Sequence, residues 1–333
     1  MGKKRYFLNL RRWMNFDYRL RQWKTWLKKS VRKMLGIADS NMATDNLIYE
    51  IYDLLQRGEK LLIPRVANVD ETIEELLRSE RSLARFGDGE FKFMFFGSSI
   101  GFQQYDANLA ARLREVLASR DDRVMVGILD IFGYLPSGMA GWRGLAAMLR
   151  PHINSCIHAE QQYYDATVSR SIGVSNFFDK MKQIWAASDV VMIEGTMTRM
   201  GIGNDLFSNA RSVRRILAPA ENAFSAYPQI LAEALRLEKS SLILIALGPT
   251  ATVLAHDLGI AGYRALDLGH IDICYELHLR GQSNMMPIEG KYVNEVSYRS
   301  PVECQDETYL RQILCTIDIN GNAERSDQRA EIR

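Results

Sequence analysis

Asp88 and Glu90 stand one residue apart, just after the apolar run 83–86, with Gly89 between them. A glycine between two carboxylates lets a turn bend sharply, so that oxygens of both approach one hard cation. Mg²⁺ and Mn²⁺ take such ligands and share them with substrate phosphates and water. The same residues also suit an ordinary solvated turn. A second polar stretch, 194–205, carries three glycines, Thr196, Thr198 and Arg199. It is rich in backbone and hydroxyl donors, and its guanidinium can grip a phosphate in a fork. Asn204 or Asp205 is placed to cap a helix through Phe207 and Ala210. The loop has neither the lysine of a P-loop nor a complete dinucleotide fingerprint. A third stretch, Gly248-Pro249-Thr250-Ala251-Thr252, reads as a small-residue turn opening a helix. The unpaired N–H groups and positive dipole end of such a turn attract anions; the rival reading is a helix merely capped by Thr250. In the fourth, 267–272, His270 lies between Asp267 and Asp272. It suits a metal ligand, or a base oriented by either acid.

Each stretch needs an element to hold it, and the sequence supplies them. Short β-rich apolar runs occur at 83–86, 124–129, 190–193, 213–217, 242–247 and 263–266, with helical patterns at 109–117, 177–185, 230–237 and 252–258 between them. Asn68 followed by Glu71 is a capping-box pattern for a further helix. Residues 48–55 read as another. This alternation predicts an α/β fold: a Rossmann-like, mostly parallel sheet with helices on both faces. Ligands of such sheets bind beyond the carboxyl ends of the strands, where all four polar stretches fall.

The chain has 333 residues, 47% of them hydrophobic and 25% charged, which excludes low-complexity, collagen-like and disulfide-scaffold classes. The run 242–247 is far shorter than the roughly 20 residues of a spanning helix. Four scattered cysteines without a C-x-x-C pair read as reduced cytosolic thiols. The net charge of +2 hides an asymmetry: residues 1–35 hold twelve basic side chains and one acid, Asp17. There Trp13, Phe16, Leu20, Trp23, Leu27, Val31 and Met34 recur at helical spacing among lysines and arginines. This predicts a basic amphipathic helix. Its partner is an anionic membrane surface, to which each Lys or Arg adds about 1 kcal/mol, or the protein's own body or another subunit. Nucleic acid is not expected. The division is therefore a basic helical segment over 1–40, one α/β domain over 41–320 and a polar tail over 321–333, in a protein of the cytoplasm that can lie on the inner face of the membrane.

Taken in order, the motifs resemble glycosyltransferases of the GT-D fold. The words are Ser82-Leu-Ala-Arg-Phe-Gly-Asp-Gly-Glu-Phe91, Thr198-Arg-Met-Gly-Ile-Gly-Asn-Asp-Leu-Phe207, Arg215-Ile-Leu-Ala-Pro219 with Asn222-Ala-Phe224, Ala246-Leu-Gly-Pro-Thr-Ala-Thr252 and Asp267-Leu-Gly-His-Ile-Asp272. The segment Val168-Ser-Arg-Ser171 departs from the Thr-Arg-Pro-like element such a chain would carry. The resemblance implies a metal-dependent transferase that moves a sugar, a hexose from UDP, to a glycan, glycoprotein or lipid-linked acceptor. It implies Mn²⁺ or Mg²⁺ on Asp88 and Glu90, with His270 as a further metal or phosphate contact, and donor contacts from Arg85, Arg199, Asn204, Gly248, Thr250 and Thr252. An acid near the sugar, Asp205 or Asp272, would take the acceptor proton. The alternative is a non-catalytic nucleotide- or sugar-phosphate-binding protein held at the membrane by its basic helix.

Overall fold

Alternation along each strand decides which way the apolar residues face. The structure, a computed structural model, describes residues 64–129 and 152–326, except 154, 172–175, 283, 294–295 and 297–302. The basic segment 1–40 and the helix expected at 48–55 lie outside these residues. The described strands are β1 (Arg65–Val66), β2 (Ser82–Phe86), β3 (Val124–Ile128), β4 (Gln162–Asp165), β5 (Asp189–Gly195), β6 (Ser212–Ala218), β7 (Leu242–Ala246), β8 (Arg264–Asp267), β9 (Ile313–Ile317) and β10 (Ala323–Arg325). They form one sheet in the order β1-β4-β3-β2-β8-β7-β5-β6-β9-β10. Every neighbouring pair is parallel except the β9–β10 hairpin.

The helices are α1 (Val69–Arg78), α2 (Asp88–Phe96), α3 (Ala107–Leu117), α4 (Phe177–Trp185), α5 (Tyr227–Ala234), α6 (Pro249–Ile260), α7 (Ile271–Leu279) and α8 (Glu307–Gln312). Val190, Met192, Leu242 and Leu244 pack with α1, α4 and α7 on one face. Their neighbours Val191, Ile193, Ile243 and Ile245 pack with α5 and α6 on the other. Both faces of the sheet are thus covered, as the near-continuous apolar runs require. The capping box forms as expected: Glu71 N–H donates to Asn68 Oδ1 at 2.9 Å, and Asn68 N–H to Glu71 Oε2 at 3.0 Å. None of the four cysteines is in a disulfide.

Two local expectations fail. The helix expected through Phe207 and Ala210 is a series of turns; Asn204 and Asp205 bond elsewhere, as described below. The boundary at 320 falls inside the β9–β10 hairpin, so at least 323–325 belong to the sheet rather than to a polar tail.

The connections locate the site. From β2 the chain runs to β3 on one side, whereas from β8, the neighbour of β2, it runs to β9 on the other. It likewise leaves β7 toward β8 and β5 toward β6, in opposite directions. Crevices open at the carboxyl ends where such connections diverge.

Candidate functional site

One pocket of about 150 Å³ occupies this edge. Arg85 and Glu90 reach it from β2 and the start of α2. Gly248 and Pro249 come from the β7–α6 turn, and Asp267, Gly269, His270 and Asp272 from the β8–α7 turn. Gly195 and Thr198 come from the end of β5, while Ile100, Phe102 and Tyr292 give an apolar wall. The rings of Phe102 and Tyr292 lie 4.7 Å apart. Gly248 turns the chain with φ 55° and ψ −142°, a conformation that only glycine adopts readily, and so brings the N-terminus of α6 to the pocket.

The pocket's acids are compensated unequally. Arg85 Nη2 donates to Asp267 Oδ1 at 3.1 Å, its Nε to the Asp267 carbonyl at 2.6 Å and its Nη1 to the Ala166 carbonyl at 2.8 Å. Arg85 is therefore a strut across β2, β8 and the turn after β4, rather than an open fork for phosphate. Burial still pushes the Asp267 carboxyl above the usual carboxylate range, against the pull of Arg85 and Thr252. Asp272 accepts from Gly201 N–H at 2.9 Å, Asn204 Nδ2 at 2.8 Å and Lys291 Nζ at 2.6 Å. Lys291 also lies 3.3 Å from Glu276 Oε1. Glu90 differs, since its carboxylate accepts from the Gly87 N–H of its own helix cap at 2.8 Å. Burial first, and then the charge of Asp267, push its carboxyl upward.

Several expected site residues stand elsewhere. Asp88 and Glu90 are not bent together by a turn. Both lie in the first turn of α2, where residues two apart point to opposite sides of the helix. Glu90 lines the pocket; Asp88 does not, and it pairs with Lys92 at 2.7 Å. Arg199, in the left-handed region with φ 53°, is buried and donates to the Gly290 carbonyl at 2.7 Å. Asn204 holds Asp272 and, at 2.7 Å, Glu276. Asp205 lies outside the pocket lining, bonded to Tyr275 at 2.6 Å and Lys182 at 2.9 Å. These partners hold its carboxyl below the usual range. Thr250 and Thr252 are buried within α6 and do not line the pocket. Thr252 Oγ1 lies 2.8 Å from the Arg85 carbonyl and 3.2 Å from Asp267 Oδ2, which stitches α6 to β2 and β8. His270 does line the pocket, with Nδ1 2.9 Å from Arg170 Nη2.

Sequence reasoning missed Phe102, Lys291 and Tyr292. They lie in connections without strand or motif signals. Lys291, buried beside two acids, is a charge that only the folded chain pairs.

A cation has partial support in this donor set. Among the described residues no three His, Cys, Asp or Glu side chains form a ready-made metal cage. Glu90 and Asp267 nonetheless both line the pocket, where burial and then the charge of Asp267 push the Glu90 carboxyl upward. Mg²⁺ and its like commonly use one or two carboxylates and complete their shell with phosphate and water. Glu90 and Asp267, which both line the pocket, fit that pattern; Asp88, which does not line it, does not.

The sequence was also compared with known proteins. The family model "Glycosyltransferase GT-D fold" matches residues 83–296. A probable glycosyl transferase Gly of Streptococcus gordonii is 35% identical over 277 residues, 76% of this chain and 39% of that protein. Glycosyltransferase GlyD of Streptococcus pneumoniae serotype 4 is 32% identical over 292 residues, 80% of this chain and 34% of that one. The chain thus spans less than half the length of these curated relatives. A solved structure of the highly conserved domain of unknown function 1792, described as having a distinct glycosyltransferase fold, shares 32% identity with a TM-score of 0.71, covering 77% of this chain and 97% of that one. A glycosyltransferase of that domain type from Streptococcus sanguinis shares 34% identity with a TM-score of 0.68, covering 75% and 98%. The motifs, the sheet and the matched span agree: this chain belongs to the family of glycosyltransferases with the GT-D fold.

Proposed function

We propose that the chain transfers a sugar, a hexose carried on UDP, to a hydroxyl of a glycan, glycoprotein or lipid-linked acceptor. One observation carries this reading. A single pocket gathers Glu90, Asp267, the His270 ring, the N-terminal ends of α6 and α7 and an aromatic wall. Helix N-termini attract phosphate oxygens. The Phe102–Tyr292 wall offers a stacking face to a flat base or sugar ring.

Glu90 and Asp267 would hold Mn²⁺ or Mg²⁺ shared with the diphosphate. Bound there, the cation supplies positive charge to the leaving diphosphate. The chain's own residues do the rest of the positioning. Arg85 keeps Asp267 in place, and Lys291 and Asn204 keep Asp272 and the 200–204 loop against α7. Asp272, with three donors on its carboxylate, serves as a structural anchor; Asp205, outside the pocket, is left out of the chemistry. Localisation follows the same reading: a cytoplasmic protein whose basic segment 1–35 rests on an anionic membrane near its acceptor.

The test is turnover. The full chain, incubated with UDP-, GDP- and dTDP-hexoses with and without Mn²⁺, should release UDP fastest, with release stimulated by the cation. Release of no nucleotide under any condition, with or without candidate acceptors, would overturn the reading.

A further inference from the structure

We propose that Asn222 reads the base of the donor: its side-chain amide, at Nδ2, donates a hydrogen bond to a carbonyl oxygen of the flat ring. The inference rests on the nucleotide reading above and deepens it by naming a residue that sets specificity.

Asn222 follows β6 and lines the pocket. Its backbone takes the left-handed region, with φ 52° and ψ 41°. Glycine would serve that backbone at least as well, so the conformation alone does not call for an amide side chain. The polar atoms of Asn222 can be accounted for one by one. Its N–H donates to the Phe102 carbonyl at 3.0 Å, and its carbonyl accepts from Ser225 N–H at 2.9 Å. Oδ1 accepts from Gln104 N–H at 2.8 Å. A backbone N–H only donates, so the atom facing it is the oxygen and the orientation of the amide is fixed. That leaves Nδ2, with two protons, the polar atom of Asn222 that has no hydrogen-bond partner in the fold.

The surroundings suit a base. Phe102 stands at the tip of a two-residue turn, closed by Ile100 N–H to the Gln103 carbonyl at 2.9 Å and Gln103 N–H to the Ile100 carbonyl at 2.8 Å. Asn222 clasps this turn from below β6, and the Phe102 ring lies against Tyr292. Ile100, Pro219, Ala220 and Ala223 extend the apolar surface. Gln103, the other amide in the lining, is engaged at both ends, by Phe224 N–H and by the Gln104 carbonyl. The charged groups belong to other strands: Glu90 follows β2, and Asp267 and His270 end β8. From β8 the sheet passes through β7 and β5 before it reaches β6, about 14 Å at ordinary strand spacing. A diphosphate held near β2 and β8 therefore leaves the β6 end of the pocket to a terminal part of the nucleotide-sugar. An aromatic and apolar surface with an uncommitted N–H fits a ring that carries carbonyls. A site built on such a bond rejects a ring that lacks the acceptor.

The experiment is calorimetry on the full chain and on Asn222→Asp, with Mg²⁺ present, using UDP, 2-thio-UDP, 4-thio-UDP and inorganic pyrophosphate. Aspartate tolerates the left-handed backbone and keeps an acceptor for Gln104 N–H, but it removes the donor. Asn222→Asp should weaken UDP about tenfold or more and pyrophosphate less than threefold, with a melting temperature within about 2 °C of wild type. Sulfur is a weak acceptor, so one of the two thio-analogues should bind wild type about threefold or more weakly than UDP, and this difference should vanish in the variant. UDP affinity that is unchanged by the substitution, or pyrophosphate affinity that falls as far as that of UDP, would overturn the inference alone. So would equal affinity of wild type for UDP and both thio-analogues, a comparison that does not depend on the variant folding. A loss seen with a UDP-hexose but not with UDP would assign Nδ2 to the sugar and overturn it too. No binding of UDP to the wild type would instead overturn the nucleotide reading, and this inference with it.

Discussion

At the scale of single residues, Glu90 is where structure and chemistry pull apart. It caps α2 through Gly87, yet burial and Asp267 raise its carboxyl above the usual range. A raised acid binds its proton more tightly in the folded state than in the unfolded one. Its contribution to stability is therefore present below the unfolded value and lost as pH rises through the folded value. Glutamine keeps the cap, because its carbonyl oxygen can accept from Gly87 N–H. Glu90→Gln should thus raise the melting temperature near pH 8 by about 2 °C or more, with the gain shrinking toward acid pH, while nucleotide release falls. Melting curves across pH beside the release assay check both. The sequence pairs Glu90 with Asp88, because a D-x-E separated by glycine reads as a bend. The backbone instead starts a helix at Asp88, and a helix sends the two carboxylates apart. Asp205 stands outside the pocket lining for a related reason: adjacency to Asn204 says nothing about which side of a turn a carboxylate takes.

At the scale of elements, three consecutive residues of one connection hold the pocket's far side. Gly290 accepts from Arg199, Lys291 pairs with Asp272 and Glu276, and Tyr292 N–H donates to the Met197 carbonyl at 3.0 Å. Lys291 and both of its acids are buried. Removing one partner of a buried ion pair leaves uncompensated charge. Lys291→Met should therefore cost about 3–5 kcal/mol in urea unfolding, and donor KM should rise as Tyr292 and the 200–204 loop loosen. An unchanged unfolding midpoint would show that the pair contributes nothing. Most of the sheet was legible because apolar runs such as 242–247 announce buried parallel strands. Strand β4, Gln-Tyr-Tyr-Asp, was not, since it has no β-branched residue and polar ends. The 200–210 turns were not legible either: Gly201 N–H is held by the distant Asp272, and Met200 N–H by Glu194.

At the scale of the whole molecule, charge and topology act separately. The strands bring motifs from distant parts of the sequence to one edge, which is why the four polar stretches were more informative together than singly. The charge lies at one end of the sequence, where residues 1–35 hold twelve basic side chains and one acid. Flotation of the full chain with vesicles containing anionic lipid should be strong at low salt and weak at high salt. The triple substitution Lys28→Glu, Lys29→Glu, Arg32→Glu should abolish it; equal flotation of wild type and variant would exclude this segment as the anchor.

The central claim, that a nucleoside diphosphate sugar occupies the pocket between β2, β8, β7 and β5, is tested most directly by calorimetry. UDP-, GDP- and dTDP-sugars would be titrated, with and without Mn²⁺, into the full chain and into Ala220→Trp, which puts a large ring into the pocket from a residue of its lining. The account predicts saturable binding of a UDP-sugar to the wild type and none to a folded Ala220→Trp variant. Binding of no nucleotide-sugar to the wild type, or equal binding to both proteins, would contradict it.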